Sequence, residues 1–158
     1  MKKIWLVLLL ATVLAPSTLL AGAIVIHDSG EEASIYTDES PEILACIGEA
    51  IEIDCVYRWH ETTVIRPNGR MNYQFHANDN ACAGVGAISG TQYKRLGADN
   101  WHFSGNGEPP FIETYTSALN FIAPGPGNNI LFLYKWNLKI NANGDTVVFI
   151  DDLRVECQ

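Results

Sequence analysis

From Ala45 to the C-terminus, apolar positions recur in short runs and sustain no 3.6-residue period. The runs fall at about 45–65, 71–80, 85–95, 101–104, 111–122, 129–140 and 146–156 and are rich in β-branched and aromatic residues. Between them lie clusters of Gly, Pro and Asn. Arg66-Pro67-Asn68-Gly69-Arg70 and Asn141-Ala142-Asn143-Gly144-Asp145 have the composition of hairpin turns, because Gly and Asn accept the positive φ such turns require. Ala123 to Asn129, with Pro124 and Pro126, reads as a longer loop. Connections this short join antiparallel neighbours and leave no room for crossover helices. The pattern predicts an all-β antiparallel meander, a β-sandwich or a flattened up-and-down barrel, in a single β domain over residues 45–158.

The first hairpin can be registered from its side-chain faces. With Pro67-Asn68-Gly69 as a three-residue loop, Ile65 meets Met71, Thr63 meets Tyr73, Glu61 meets Phe75 and Trp59 meets Ala77 on one mostly apolar face. The opposite face pairs Thr62 with Gln74, His60 with His76 and Arg58 with Asn78. A one-residue slip would exchange the faces, so this register is preferred. It also bears on the cysteines. Continued to its far end, the hairpin brings Cys55 and Cys82 opposite each other if one bulged residue sits near Asn78-Asp79-Asn80. Of the three connectivities open to four cysteines, that predicts Cys55–Cys82 and leaves Cys46–Cys157 to join the first core strand to the last.

The N-terminal part reads differently. Lys2 and Lys3 precede an apolar run from Ile4 to Leu14, and Ala21-Gly22-Ala23 offers the small side chains a signal peptidase needs. The run is well short of the roughly 20 apolar residues that span a bilayer, and no Cys follows it for lipidation. Residues 1–23 are therefore expected to be a signal peptide, with the mature chain beginning near Ile24 and carrying no membrane span. Residues 27–42 hold six carboxylates and no Lys or Arg, and residues 24–44 are expected to be an acidic, mobile lead-in. A calcium loop there lacks the required ligand spacing and glycine turn.

Export places the chain in a secreted or periplasmic setting, where an even number of cysteines reads as disulfides. No Cys-x-x-Cys occurs, so a zinc ribbon and a thioredoxin-type redox centre are not supported. Removing Lys2 and Lys3 from 10 basic residues leaves 8 against 18 acidic ones, a net charge of −10. Such a chain is repelled by nucleic acid and by anionic membrane surfaces.

Candidate chemistry is sparse. The opposed pair His60 and His76 could share a metal ion if one or two further ligands were supplied, with Glu61 adjacent and His102 unplaced. Gly84 to Gly90 has the glycines of a phosphate loop but precedes a strand-like Thr91-Gln92-Tyr93, so a bent strand or a close backbone approach is the better reading. Ser89 lies in no nucleophile elbow. Asp151 and Asp152, adjacent on a strand, point to opposite faces and cannot act as a pair. Trp59, Trp101, Trp136 and Tyr134 are candidates to line a glycan or hydrophobic-ligand site, or to fill the core.

The series Cys46-Ile47-Gly48-Glu49, Asn68-Gly69-Arg70, Gly84-Val85-Gly86 through Ser89-Gly90-Thr91-Gln92-Tyr93, and Asn141-Ala142-Asn143-Gly144-Asp145 ahead of Cys157 resembles hypothetical secreted bacterial proteins of unassigned function. Cys55 and Cys82 are an addition to that pattern. The resemblance implies no catalytic residues. The expectation is an extracytoplasmic, non-enzymatic binding or structural module for a small molecule, glycan or protein, with no cofactor. The alternative is a secreted hydrolase or metal-dependent enzyme built around His60 and His76.

Overall fold

The computed structural model describes residues 22–125 and 129–158, so most of the expected signal peptide lies outside the described residues. The chain forms β1 (Ile24–Asp38), α1 (Pro41–Ile47), β2 (Ile51–Ile65), β3 (Met71–Gly86), β4 (Gln92–Gly105), β5 (Phe111–Ile122), β6 (Ile130–Ile140) and β7 (Thr146–Cys157). All seven strands belong to one antiparallel sheet in sequence order, which is the simplest meander. The expected all-β antiparallel meander is present as one up-and-down sheet, rolled so that its inner face packs on itself around α1.

The first hairpin has the register its faces select, with Ile65 opposite Met71, His60 opposite His76 and Arg58 opposite Asn78. Register shifts between Val56 and Tyr57, where Asn80 is the extra residue of the bulge, and Cys55 then meets Cys82. Both disulfides, Cys55–Cys82 and Cys46–Cys157, are formed. Two disulfides fit an oxidising compartment. No helix among the described residues is long and apolar enough to cross a membrane.

Residues 24–44 are not a mobile lead-in. β1 pairs with β2 along its whole length, from Ile24 opposite Ile65 to Asp38 opposite Ile51. An edge strand can carry many charges because half its backbone and much of its surface stay in water, and such charges discourage pairing with other chains. Glu31, for example, meets Arg58 at 2.9 Å in an exposed ion pair.

Nor does Cys46 open a core strand: it lies on α1. Ser40 caps that helix by accepting from the Ile43 amide at 3.5 Å, Pro41 starts it, and Gly48 ends it at φ 76°. This helix faces the sheet with Ile43, which is fully buried. Around it cluster Ile51 and Ile53 of β2, Phe121 of β5 and Ile130 of β6, with Val155 of β7 packed alongside. A flat sheet would hold β2 and β7 about 24 Å apart at the usual strand spacing. Yet Cys46, just ahead of β2, bonds to Cys157 with 5.4 Å between Cα atoms. At this end the sheet is therefore rolled around α1.

The roll does not close. Alternating direction along seven strands leaves β1 and β7 running parallel, so a closing ladder would be of the less stable parallel kind. They remain the two edges of the sheet. Away from α1 their apolar side chains stay exposed, among them Ile24 and Ile26 on β1 and Val147 and Phe149 on β7. The expected runs 85–95 and 101–104 are also redrawn, as the tail of β3 and the whole of β4. The break falls at residues 87–91, where the buried Glu49 carboxylate accepts from the amides of Ile88 at 2.6 Å and Ser89 at 2.7 Å and from the Ser89 hydroxyl. Gly84 marks a close approach, since a Cβ there would lie 2.6 Å from the Ile51 side chain.

Candidate ligand groove on the inner face

Directly opposed residues in an antiparallel sheet share a face, so the registers sort the chemistry of this molecule into two sides. The face covered by α1 is the inner face. At mid-height one row crosses every strand: Asp28, Glu61, Phe75, Trp101, Tyr115, Trp136 and Asp151. It is a belt of aromatic rings with carboxylates at its ends. The next row toward α1 adds Trp59, Asp99 and Tyr134, and the row on the other side, away from α1, adds Tyr73, Phe103 and Glu113. The rings touch. Trp59 stacks on Phe75 with 6.3 Å between centroids, and Tyr73 meets Trp101 edge-on at 5.1 Å. Gly30 lets Trp59 lie across β1, because a Cβ there would come within 2.8 Å of the indole.

These rings do not form a sealed core. Trp101 is 39% exposed, and Trp59, Phe75, Tyr115 and Trp136 are half-buried. Their polar atoms are tied to carboxylates. Tyr73 donates to Glu61 at 2.7 Å, Trp101 to Glu113 at 2.9 Å and Tyr115 to Asp99 at 2.7 Å, and the Tyr134 hydroxyl bonds to Asp151. Burial, followed by the hydrogen bond to the neighbouring carboxylate, pushes Tyr73 and Tyr115 up to about 12. Both therefore remain protonated donors at neutral pH, and each ring is fixed in orientation by a charge-assisted bond.

Toward α1 the groove deepens into a cavity of about 330 Å³ walled by Tyr36, Tyr57, Phe75 and Tyr115. Asp79, Arg95 and Asp99 also line it. Arg95 lies 3.5 Å from Asp79, both side chains being less than a tenth exposed, and its Nη1 rests 3.0 Å from the Cys55 sulfur. Burial pushes the Asp79 carboxyl above the ordinary range, Arg95 pulls it back and Asp99 raises it further. Asp79 Oδ2 and Arg95 Nε are buried with no hydrogen-bond partner among the described residues.

The outer face is of another kind. All four histidines of the chain lie on it, with His27 beside Thr62, His60 opposite His76, and His102 opposite Gln74. The His60 and His76 ring centroids are 5.0 Å apart. His76 has both nitrogens engaged, Nδ1 with Asn100 Oδ1 at 2.6 Å and Nε2 with Asn78 Nδ2 at 2.7 Å. That pattern needs Nδ1–H as the donor and leaves no free lone pair for a metal. Glu61, adjacent in sequence, points to the inner face, where it meets Tyr73. Among the described residues, the one group of three His, Cys or carboxylate ligand atoms within 4.8 Å of one another is Cys55, Asp79 and Cys82, and its sulfurs are joined in a disulfide.

Of the aromatics named from sequence, Trp59, Trp101, Trp136 and Tyr134 do share the inner face, within one or two rows. Tyr36, Asp79, Arg95 and Asp99 were not anticipated. The hairpin register, extended as far as the bulge, would have placed Asp79 beside Tyr57. Tyr36 was hidden in the segment read as mobile. No known protein family, curated protein or solved structure matches this chain.

Proposed function

We propose that this protein is a secreted or periplasmic, non-enzymatic binding module that takes a small organic ligand in the aromatic groove of its inner face. The observation that carries this reading is the row Phe75–Trp101–Tyr115–Trp136, continuous across four strands yet left partly open to solvent. Apolar rings kept partly in water forgo burial energy, at about 25 cal/mol per Å² of apolar surface, that a filled interior would gain. Rings held in place by carboxylates are also already ordered, which lowers the entropy cost of binding. The export signals in the sequence and the two disulfides support the extracytoplasmic setting. The alternative enzyme built around His60 and His76 needs a third ligand or an activating base beside the pair, and His76 instead bonds to two asparagine side chains.

The test is a screen of neutral oligosaccharides, amines and amphiphiles by two-dimensional NMR on the mature protein, repeated with Trp101→Ala. Binding should perturb Phe75, Trp101, Tyr115 and Trp136 together and weaken by roughly tenfold or more in the variant, as for an aromatic hot spot. Ligands that perturb only the histidine face would sink the groove reading.

A further inference from the structure

We infer that the deep end of the groove is a subsite for an organic cation, an alkylated ammonium group held between Tyr36, Tyr57, Phe75 and Tyr115 with Asp99 as its counter-charge. This rests on the inner-face binding reading and names the ligand class for it.

The first support is charge segregation between the faces. Arg58, Lys94, Lys135, Lys139 and Arg154 all project to the outer face, and Arg95 is the one basic strand residue on the inner side. The inner face carries Glu61, Asp79, Asp99, Glu113 and Asp151 at and around the aromatic belt. A groove lined by one sign of charge concentrates ligands of the opposite sign.

Within the cavity the same logic holds at close range. Arg95 is matched by Asp79 at 3.5 Å and packs against the Cys55 sulfur, so the pair is close to neutral. Asp99 then has a neutral donor, the Tyr115 hydroxyl, and no basic partner within ion-pair distance among the described residues. Asp79, with its side chain only 6% exposed, also lines the cavity, and its buried Oδ2 has no hydrogen-bond partner among the described residues. A cation in the cavity would offset part of the cost of this buried carboxylate through its charge alone, since an alkylated ammonium has no N–H to donate. The walls supply the rest. Three tyrosines and a phenylalanine line the cavity, and the negative quadrupoles of aromatic rings attract alkylated ammonium groups. A neutral sugar would find the same rings but would leave the Asp99 charge uncompensated.

The experiment uses the mature, disulfide-bonded protein and choline as probe, with 3,3-dimethylbutan-1-ol as its neutral isostere. Choline should shift the Tyr36, Asp99 and Tyr115 resonances, and the isostere should bind roughly tenfold or more weakly. Raising salt should weaken choline binding, and Asp99→Asn should weaken it by roughly tenfold while leaving the melting temperature near that of wild type. The isostere binding as tightly as choline, or Asp99→Asn leaving affinity unchanged, would overturn the cation subsite. Cellohexaose perturbing the groove when choline does not would also overturn it and leave the binding-module reading standing. If neither choline nor any compound of the broader screen moves an inner-face resonance, both readings fall.

Discussion

The two ends of this sheet are made from the same seven strands and do opposite things. Around α1, Ile43, Ile51, Ile53, Phe121 and Ile130 are buried to within 1% of full burial, and two disulfides fasten the surroundings. Toward the opposite end the strands continue, but Trp101 is 39% exposed and Phe149 59% exposed. The difference comes down to one seven-residue helix. Where α1 lies on the inner face, the sheet rolls until β7 reaches it. Where it does not, the parallel edges β1 and β7 have no element between them and the aromatic face stays accessible. Because every strand runs through both ends, the packed end can hold the rings of the open end in register without filling the space between them.

The sharpest way to break that division is to cut the bond that fastens the roll. Cys46–Cys157 closes a stretch of 111 residues. The chain-entropy model assigns a link of this length about 4–5 kcal/mol. Cys157→Ser should therefore lower unfolding stability by about that amount in urea titration and expose Cys46 as a reactive thiol. If it is lowered by well under 1 kcal/mol, the rolled end is held by Ile43 and its neighbours alone.

What could be read from the sequence divides along the same line. The first hairpin was legible because its two faces differ sharply, so a register that keeps Trp59 with Ala77 and His60 with His76 stands out from its one-residue slip. A bulge near Asn78-Asp79-Asn80, found at Asn80, and the pairing of Cys55 with Cys82 followed from that register. β1 was not legible, because Asp28, Glu31, Glu32 and Asp38 mask an alternation that only the neighbouring β2 makes meaningful. The helix did leave a signature in Ser40-Pro41-Glu42 and Gly48, but seven residues are too few for a period to show. The β3–β4 boundary was misplaced because the turn is set by Glu49, 39 and 40 residues before the amides it binds. The groove needed β4 and β1 in their right places. From sequence its rings were therefore visible one by one, and the cavity around Asp99 was not.

Glu49 offers a finer test of the closed end. The Ser89 hydroxyl, then the Ser89 and Ile88 amides, hold its carboxyl below the ordinary value, with desolvation opposing them. A carboxyl with a lowered folded pKa contributes stability that is fully present above its unfolded pKa, about 4.3, and lost as pH falls through the folded value. Glu49→Gln should melt below wild type at about pH 7, and the gap should close near pH 3 where wild-type Glu49 is protonated. A gap that persists at low pH would mean that the amide fails to fit, and that the charge has no part in pinning the 87–91 turn.

The smallest effect is expected on the outer face, which belongs to neither the packed end nor the groove. His60 is exposed, and its partner His76 already bonds to Asn78 and Asn100. Two imidazoles without a third ligand make an incomplete site, since lasting transition-metal selectivity comes from a full set of donors in a fixed geometry. To bind, a metal would first have to displace the Asn78 amide from His76 Nε2. Zinc and copper(II) should accordingly bind no more tightly than about micromolar in calorimetry, and His60→Ala should change stability by less than about 0.5 kcal/mol, as for surface substitutions generally. Inner-face ligand binding should be unaffected, because His60 and Glu61 project to opposite sides of β2. Sub-micromolar zinc affinity lost in His60→Ala would mean that His102 or another donor moves in to complete the site, and the outer face would then hold a function of its own.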